Sequence, residues 1–316
     1  MASEELDRAV AAVVRDCLGV KPGEEVLVVA NPATEGIGEA MRAESERAGA
    51  DAVLAVMAER ATHGTEPPAG VAAAMAAADV ALVPTVQSLS HTEARRAATG
   101  AGARIATLPS VTEEMLARVM SADMAELRRR GDEVARRLSA ASEAVFTCPN
   151  GSDLHVDLEG RTGLPDDGVL TEPGAFGNLP CGEGFIAPAG GEGTLIVDGS
   201  LAGIGLAAEP VALEVEAGHL TSARGGQGME FMELLTAYGE DGTNLAELGI
   251  GTNEKAILTG IILEDEKILG TAHVAFGASA PFGGNVQVPI HLDCIVTRPT
   301  VELDGEPLIR DGELLV

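Results

Sequence analysis

The chain has 316 residues, 46% of them hydrophobic, which suits one large domain or two ordinary ones with a sizeable core. Its formal net charge of -28 excludes nucleic acid and anionic membrane surfaces as partners, because both need basic patches. The four cysteines (Cys17, Cys148, Cys181, Cys294) are scattered without a C-x-x-C pair, which excludes a disulfide framework and a zinc ribbon.

The first residues, M-A-S-E-E-L-D, are acidic and lack the basic and apolar regions of a signal peptide, so a cytoplasmic protein is expected. The longest apolar run, residues 70–86, is interrupted by Asp79 and Pro84 and does not read as a membrane span. Apolar residues at Leu6, Val10, Val13, Val14 and Leu18 predict a helix over 4–18. The run E-V-L-V-V-A (25–30) predicts a buried strand. A helix follows over 34–49, with Thr34 as N-cap and Gly49 as its stop. Strands are predicted at 51–57, 79–85 and 103–109, and helices at 71–78, 91–102 and 112–120. Strands alternating with helices imply a doubly wound parallel sheet, hence an α/β N-terminal domain. Residues 121–143 read as a long charged helix whose run Arg128-Arg129-Arg130 forms a solvated face.

From residue 144 the character changes. Short β-branched runs alternate with Gly, Pro and Asp, and only 228–238 and 253–258 look helical. The expected organisation is an α/β domain over 1–143 and a mainly β, barrel-like domain over 144–316.

Four stretches of the second half could carry chemistry. In N-L-P-C-G-E-G-F-I-A-P (178–188), Glu183 sits between glycines in a segment stiffened by prolines. It reads either as an exposed turn glutamate or as a ligand or general base. In N-L-A-E-L-G-I-G-T-N (244–253), Glu247 is the only charge in an apolar segment, so it must be paired, protonated or metal-bound. His273 lies in the small-residue strand G-T-A-H-V-A-F-G, after an acidic turn, L-E-D-E-K, that marks a β-hairpin. In V-P-I-H-L-D-C-I-V, His291 and Asp293 alternate along a strand and project to one face. A metal ion or a simple histidine–aspartate hydrogen bond would each account for that pair. Taken together, two imidazoles and three carboxylates suit zinc, manganese, cobalt or iron(II), and are enough for two ions about 3.5–4 Å apart.

Those four segments, in this order, resemble the thermophilic aminopeptidase family (peptidase family M29, aminopeptidase T-like). The resemblance covers most of residues 145–300, and the run S-L-S-H-T-E-A-R-R-A-A-T-G-A-G-A-R in the first half looks like a short-chain branch of the same superfamily. It implies an α/β domain followed by a barrel-like metal-binding domain, and a homodimer. It also implies two divalent ions held by Glu183, Glu247, His273, His291 and Asp293; in a hydrolase of this kind Glu183 is our candidate for general base as well as ligand. Where the peptidases carry a tyrosine seven residues after the first ligand histidine, this chain has Ala280. A related branch, the 2,5-dihydroxypyridine dioxygenases, uses one iron(II) held by two histidines and an aspartate, here matching His273, His291 and Asp293. In that branch a histidine of the first domain takes part in acid–base chemistry, which points to His91; as a residue, His91 also reads as a helix N-terminal histidine beside Thr92.

The expected function is a metal-dependent hydrolase of the aminopeptidase type, acting on a small peptide or other small molecule with zinc, cobalt or manganese. Glu183 and Glu247 favour it, having no evident duty in a one-ion site. The alternatives are an iron(II) ring-cleaving dioxygenase and a non-catalytic metal-binding relative.

Overall fold

The computed structural model describes residues 4–316. Helix α1 (Glu4–Ala11) passes into a π-helical turn (Ala12–Cys17). Strand β1 (Glu25–Ala30), α2 (Glu35–Arg47), β2 (Asp51–Val56), α3 (Ala69–Ala77), β3 (Val80–Val83), α4 (Glu93–Gly100), β4 (Arg104–Thr107) and α5 (Glu113–Val119) follow. Next come α6 (Met124–Ala140), β5 (Glu143–Thr147), β6 (Asp153–Asp157), β7 (Leu164–Asp166), β8 (Phe176–Asn178), β9 (Glu183–Ile186) and β10 (Gly190–Val197). Then come β11 (Ser200–Leu201), β12 (Gly205–Leu206), β13 (Val211–Glu216), β14 (His219–Arg224), α7 (Gly228–Thr236), α8 (Gly239–Gly242), β15 (Leu245–Gly251), α9 (Ile262–Asp265) and β16 (Ala272–Gly277). A 3-10 turn (Ala280–Phe282), β17 (His291–Val296), β18 (Thr300–Leu303), β19 (Glu306–Arg310) and β20 (Glu313–Leu314) complete the chain.

Contacts divide the chain into two compact units, one of residues 1–122 with 168–181, the other of 123–167 with 182–316. The sequence expectation was a single cut at 143/144. By packing, α6 belongs with the second unit, and the segment carrying β8 returns to the first.

The first unit holds a five-stranded parallel sheet in the order β2-β1-β3-β4-β8. Its middle strands are continuous β-branched and apolar runs because both faces are covered. Right-handed crossovers with this order send α2 to one face and α3 and α4 to the other. Thr92 and Thr112 start α4 and α5 by accepting the Arg95 and Met115 N–H groups. Thr34 precedes α2 as expected but caps nothing: its hydroxyl accepts the Asn31 N–H and donates to the Pro84 carbonyl.

The second unit contains two antiparallel sheets, of eight strands (β14-β13-β10-β6-β5-β18-β19-β20) and seven strands (β12-β11-β17-β16-β15-β9-β7). A single hydrophobic core joins them, with Phe146, Leu154, Leu213, Phe231, Leu248, Val274 and Phe276 fully buried. Helix α6, capped by Asp123, lays Leu127, Val134 and Leu138 inward. It approaches β9 so closely that a Cβ on Gly184 would lie 2.6 Å from Val134 Cγ1. Arg129 of the solvated run pairs with Glu126, while Arg130 also reaches Glu254 at 2.9 Å.

Two local expectations fail. Residues 253–258 form no helix: the Asn253 N–H donates to the Lys267 carbonyl, and its side chain accepts the Lys255 N–H in a local turn. The acidic turn before His273 is not a tight hairpin. Strands β15 and β16 do pair antiparallel, but the chain between them makes the short helix α9, whose Glu264 and Asp265 are fully buried. Among the described residues no helix is long and apolar enough to cross a membrane.

Candidate metal centre

The seven-stranded sheet sorts its residues by parity. Leu248, Ile250, Val274, Phe276 and Cys294 point into the core, so their neighbours in sequence point to the opposite face. Registered partners share a face, and the register pairs Asp166 with Glu183, Phe185 with Gly249, Gly249 with His273, Glu247 with Ala275, Ala275 with Asp293 and Gly277 with His291. Five adjacent strands, β17, β16, β15, β9 and β7, thus display ionisable residues on one face.

Glu247 reaches that face through a bulge. Leu245 is opposite Phe276, yet Glu247 is opposite Ala275, so Ala246 is the extra residue. With regular pairing Glu247 would oppose Val274 and point into the core.

The structure brings the five predicted residues together as two groups that share Glu247: Glu183, Glu247 and His273, and Glu247, His291 and Asp293. His273 Nε2 lies 3.0 Å from Glu183 Oε2 and 3.3 Å from Glu247 Oε1. His291 Nε2 lies 3.3 Å from Glu247 Oε2 and 3.6 Å from Asp293 Oδ1. The Nδ1–H of His291 donates to the Ala278 carbonyl at 2.8 Å, which fixes the ring and leaves Nε2 for the centre. Glu183 is buried at the start of β9, not on an exposed turn.

His91 is in the first unit, in the turn before α4, where its carbonyl accepts Arg96 Nη1. Ala280 opens the 3-10 turn, and Phe282 of the same turn meets the His291 ring edge-on at 5.4 Å and Phe185 at 5.7 Å.

A second cluster adjoins the first and was not foreseen. Lys267, 1% exposed, extends its ammonium to Asp166 (2.9 Å), Glu266 (2.8 Å) and Glu183. The sequence did carry a signal: a scarce lysine directly after L-E-D-E and six residues before His273.

Burial and charge compete throughout. Burial alone would lower the pKa of His273 and of His291; the surrounding carboxylates outweigh it and hold both well above the usual histidine value. Glu247 is pushed up by burial but drawn down to about 2 by the two histidines. Burial raises Asp166 to about 6 and Glu266 to about 8, against the opposing pull of Lys267.

The donor set fits a divalent cation. Glu183 Oε2 is buried without a hydrogen-bond partner although His273 Nε2 is near, as expected for two ligand atoms of one ion. Imidazole with carboxylate suits iron(II), manganese and zinc.

A pH dependence follows. A metal ion needs the neutral Nε2 lone pair of each histidine, so binding near pH 7 must expel about two protons and tighten as pH rises. Titration calorimetry in buffers of different ionisation enthalpy measures that release; no release would contradict it. Stability of the ion-free protein has the opposite slope. The histidines' folded values lie above the ordinary 6.5, so their contribution is complete below pH 6.5 and is lost as pH rises through the raised values. The raised Glu266 acts in the same direction, losing its contribution between its ordinary 4.5 and about 8.

Comparison with known proteins agrees with this architecture. A family model described as NicX: 2,5-dihydroxypyridine 5,6-dioxygenase matches residues 5–316. The fold is similar to that of the 2,5-dihydroxypyridine dioxygenase of Pseudomonas putida KT2440, with a TM-score of 0.83 at 20% identity over 98% of this chain and 97% of that one. It is also similar to wild-type AmpT from Thermus thermophilus, with a TM-score of 0.73 at 20% identity over 99% of each chain. No sequence match was found among curated proteins.

Proposed function

The chain belongs to the 2,5-dihydroxypyridine 5,6-dioxygenase (NicX) family, and from that premise we propose that it is a non-haem iron(II) oxygenase that opens a hydroxylated nitrogen-containing aromatic ring. The observation that carries this reading is the placement of His273, His291 and Asp293 on one face of the paired strands β16 and β17, in a chain that matches the family model over residues 5–316. Two imidazoles and one carboxylate are the donors of a facial triad, which leaves coordination positions open. Iron(II), when bound, supplies the one-electron chemistry through which dioxygen can react with a closed-shell ring.

The residues of the chain do the rest. The Ala278 carbonyl orients His291, and Phe282 flanks its ring. Phe185, on the same face as Glu183 and Gly249, adds an apolar surface against which a planar ring can stack or pack edge-on. Glu183 has a duty that a one-ion site does not supply, since its carboxylate receives the Lys267 ammonium. The acid–base role of His91 rests on the resemblance to the dioxygenase branch alone.

The two-ion hydrolase reading keeps one observation in its favour: Glu247 turns one oxygen to each histidine, as a bridging carboxylate would. Against it, Ala280 stands where that resemblance calls for a tyrosine, and the chain's single tyrosine, Tyr238, is exposed beyond α7.

The two readings separate in one pair of assays. Protein loaded anaerobically with iron(II) should take up oxygen when given 2,5-dihydroxypyridine, and should leave aminoacyl amides intact when loaded with zinc, cobalt or manganese. Amide turnover without substrate-dependent oxygen uptake would overturn the proposal in favour of the hydrolase.

A further inference from the structure

The chain has three lysines, and Lys21 and Lys255 are exposed while Lys267 is buried. Three carboxylates from three separate elements enclose its ammonium: Asp166 of β7, Glu183 of β9, and Glu266 just after α9. A buried ammonium is tolerated only where such partners compensate for lost hydration, so the cluster is built to hold a cation at this position. Glu183 belongs to it and also to one of the two donor groups of the metal centre. One of its oxygens receives the lysine, and the other faces His273.

We propose that the Lys267 ammonium is the resident second cation of this centre: it takes the charge of Glu183 and limits the protein to one bound divalent ion. The inference rests on the one-ion reading of the site. Its physical basis is competition for a single carboxylate. A divalent ion held by Glu183, Glu247 and His273 would have one Glu183 oxygen available, on a group whose other oxygen already shares an ammonium with Asp166 and Glu266. It would also sit close to a like charge in a water-poor setting, where repulsion is weakly screened. The second donor group is therefore present in outline, with Glu183 Oε1 taken by the lysine and Oε2 left without a hydrogen-bond partner.

The test is ion stoichiometry in the full-length protein, read without any activity assay. Chelator-stripped wild type, Lys267→Met and the exposed-site control Lys255→Met are equilibrated with manganese(II) and assayed by elemental analysis and titration calorimetry. Wild type and Lys255→Met should hold one equivalent. Lys267→Met should hold two, the second at least tenfold tighter than any second equivalent in the wild type. Because Lys267→Met leaves buried carboxylates without a counter-charge, it is purified with excess manganese(II). Its melting temperature should then depend on manganese(II) far more steeply than that of the wild type. A Lys267→Met protein that holds one equivalent, or that fails to fold at any manganese(II) concentration, overturns the inference and leaves the one-ion reading standing. Two tight equivalents in the wild type would overturn the one-ion reading itself, and the inference with it.

Discussion

Replacing Gly249 with alanine drives the His273 imidazole out of the centre and weakens divalent-ion binding by about 100-fold or more, more than is typical for loss of an outer-shell partner. Gly249 is the registered partner of His273 on the neighbouring strand, and the ring lies over it. A Cβ built there would overlap Nε2 and Cε1 of the imidazole and come within 2.8 Å of Cδ2. The ring cannot move aside cheaply, because His273 is wholly buried in a strand with paired neighbours on both sides. Gly249 does not have a positive φ, so the glycine serves space and not backbone freedom. The overpacking itself should cost about 1–3 kcal/mol of stability, comparable to the roughly 2.7 kcal/mol of a 100-fold loss in ion affinity, so the two are measured separately. Competition against a chelating dye measures the affinity. Gly70→Ala in α3, where an added Cβ meets nothing within 4 Å, is the control and should be neutral or slightly stabilising. Unchanged affinity in Gly249→Ala would mean that His273 does not hold the ion.

Replacing Asp265 with alanine should destabilise the second unit by about 4 kcal/mol, which corresponds to a fall of about 10 °C in its melting temperature. Asp265 is wholly buried and accepts the N–H groups of Thr259 (2.7 Å) and Gly260 (2.8 Å) and the Thr259 hydroxyl (3.1 Å). Alanine would leave all three donors unsatisfied, and unmade bonds to a charged acceptor are the costly kind. Asparagine keeps one acceptor oxygen and should lose about half as much. The segment held by these bonds also delivers Glu266 and Lys267 to the centre. Asp265→Ala should therefore loosen Lys267 and let manganese(II) recover part of the lost stability. Thermal melts of ion-free and manganese-loaded protein measure both; an equal loss with and without manganese(II) would show that Lys267 stays in place without this support.

The parallel sheet of the first unit was legible in the sequence because its signals are local. The β-branched runs at 25–30 and 80–83 separate amphipathic segments, and Thr92 and Thr112 mark helix starts by their own chemistry. The alternation of His291 with Asp293 was equally local, since strand geometry alone sends both to one face. Helix 253–258 was misread because the polar side chain of Asn253 and a long-range bridge to Ile268 override the weak helical preference of those residues.

The sequence by itself determined the donor chemistry: which imidazoles and carboxylates stand in apolar strands where each needs a partner, and the order of motifs that marks the family. The tertiary structure decided which of them meet. Glu183, Glu247, His273 and the His291–Asp293 pair come from four strands whose order, β17-β16-β15-β9, does not follow from any local signal. The bulge at Ala246 turns Glu247 from the core to the site, and only strand pairing can reveal a change of face by one residue. Lys267 is the clearest case. In the sequence it closes an acidic surface-like turn; in the fold that turn is buried, and desolvation converts an ordinary lysine into a charge that the neighbouring carboxylates must answer.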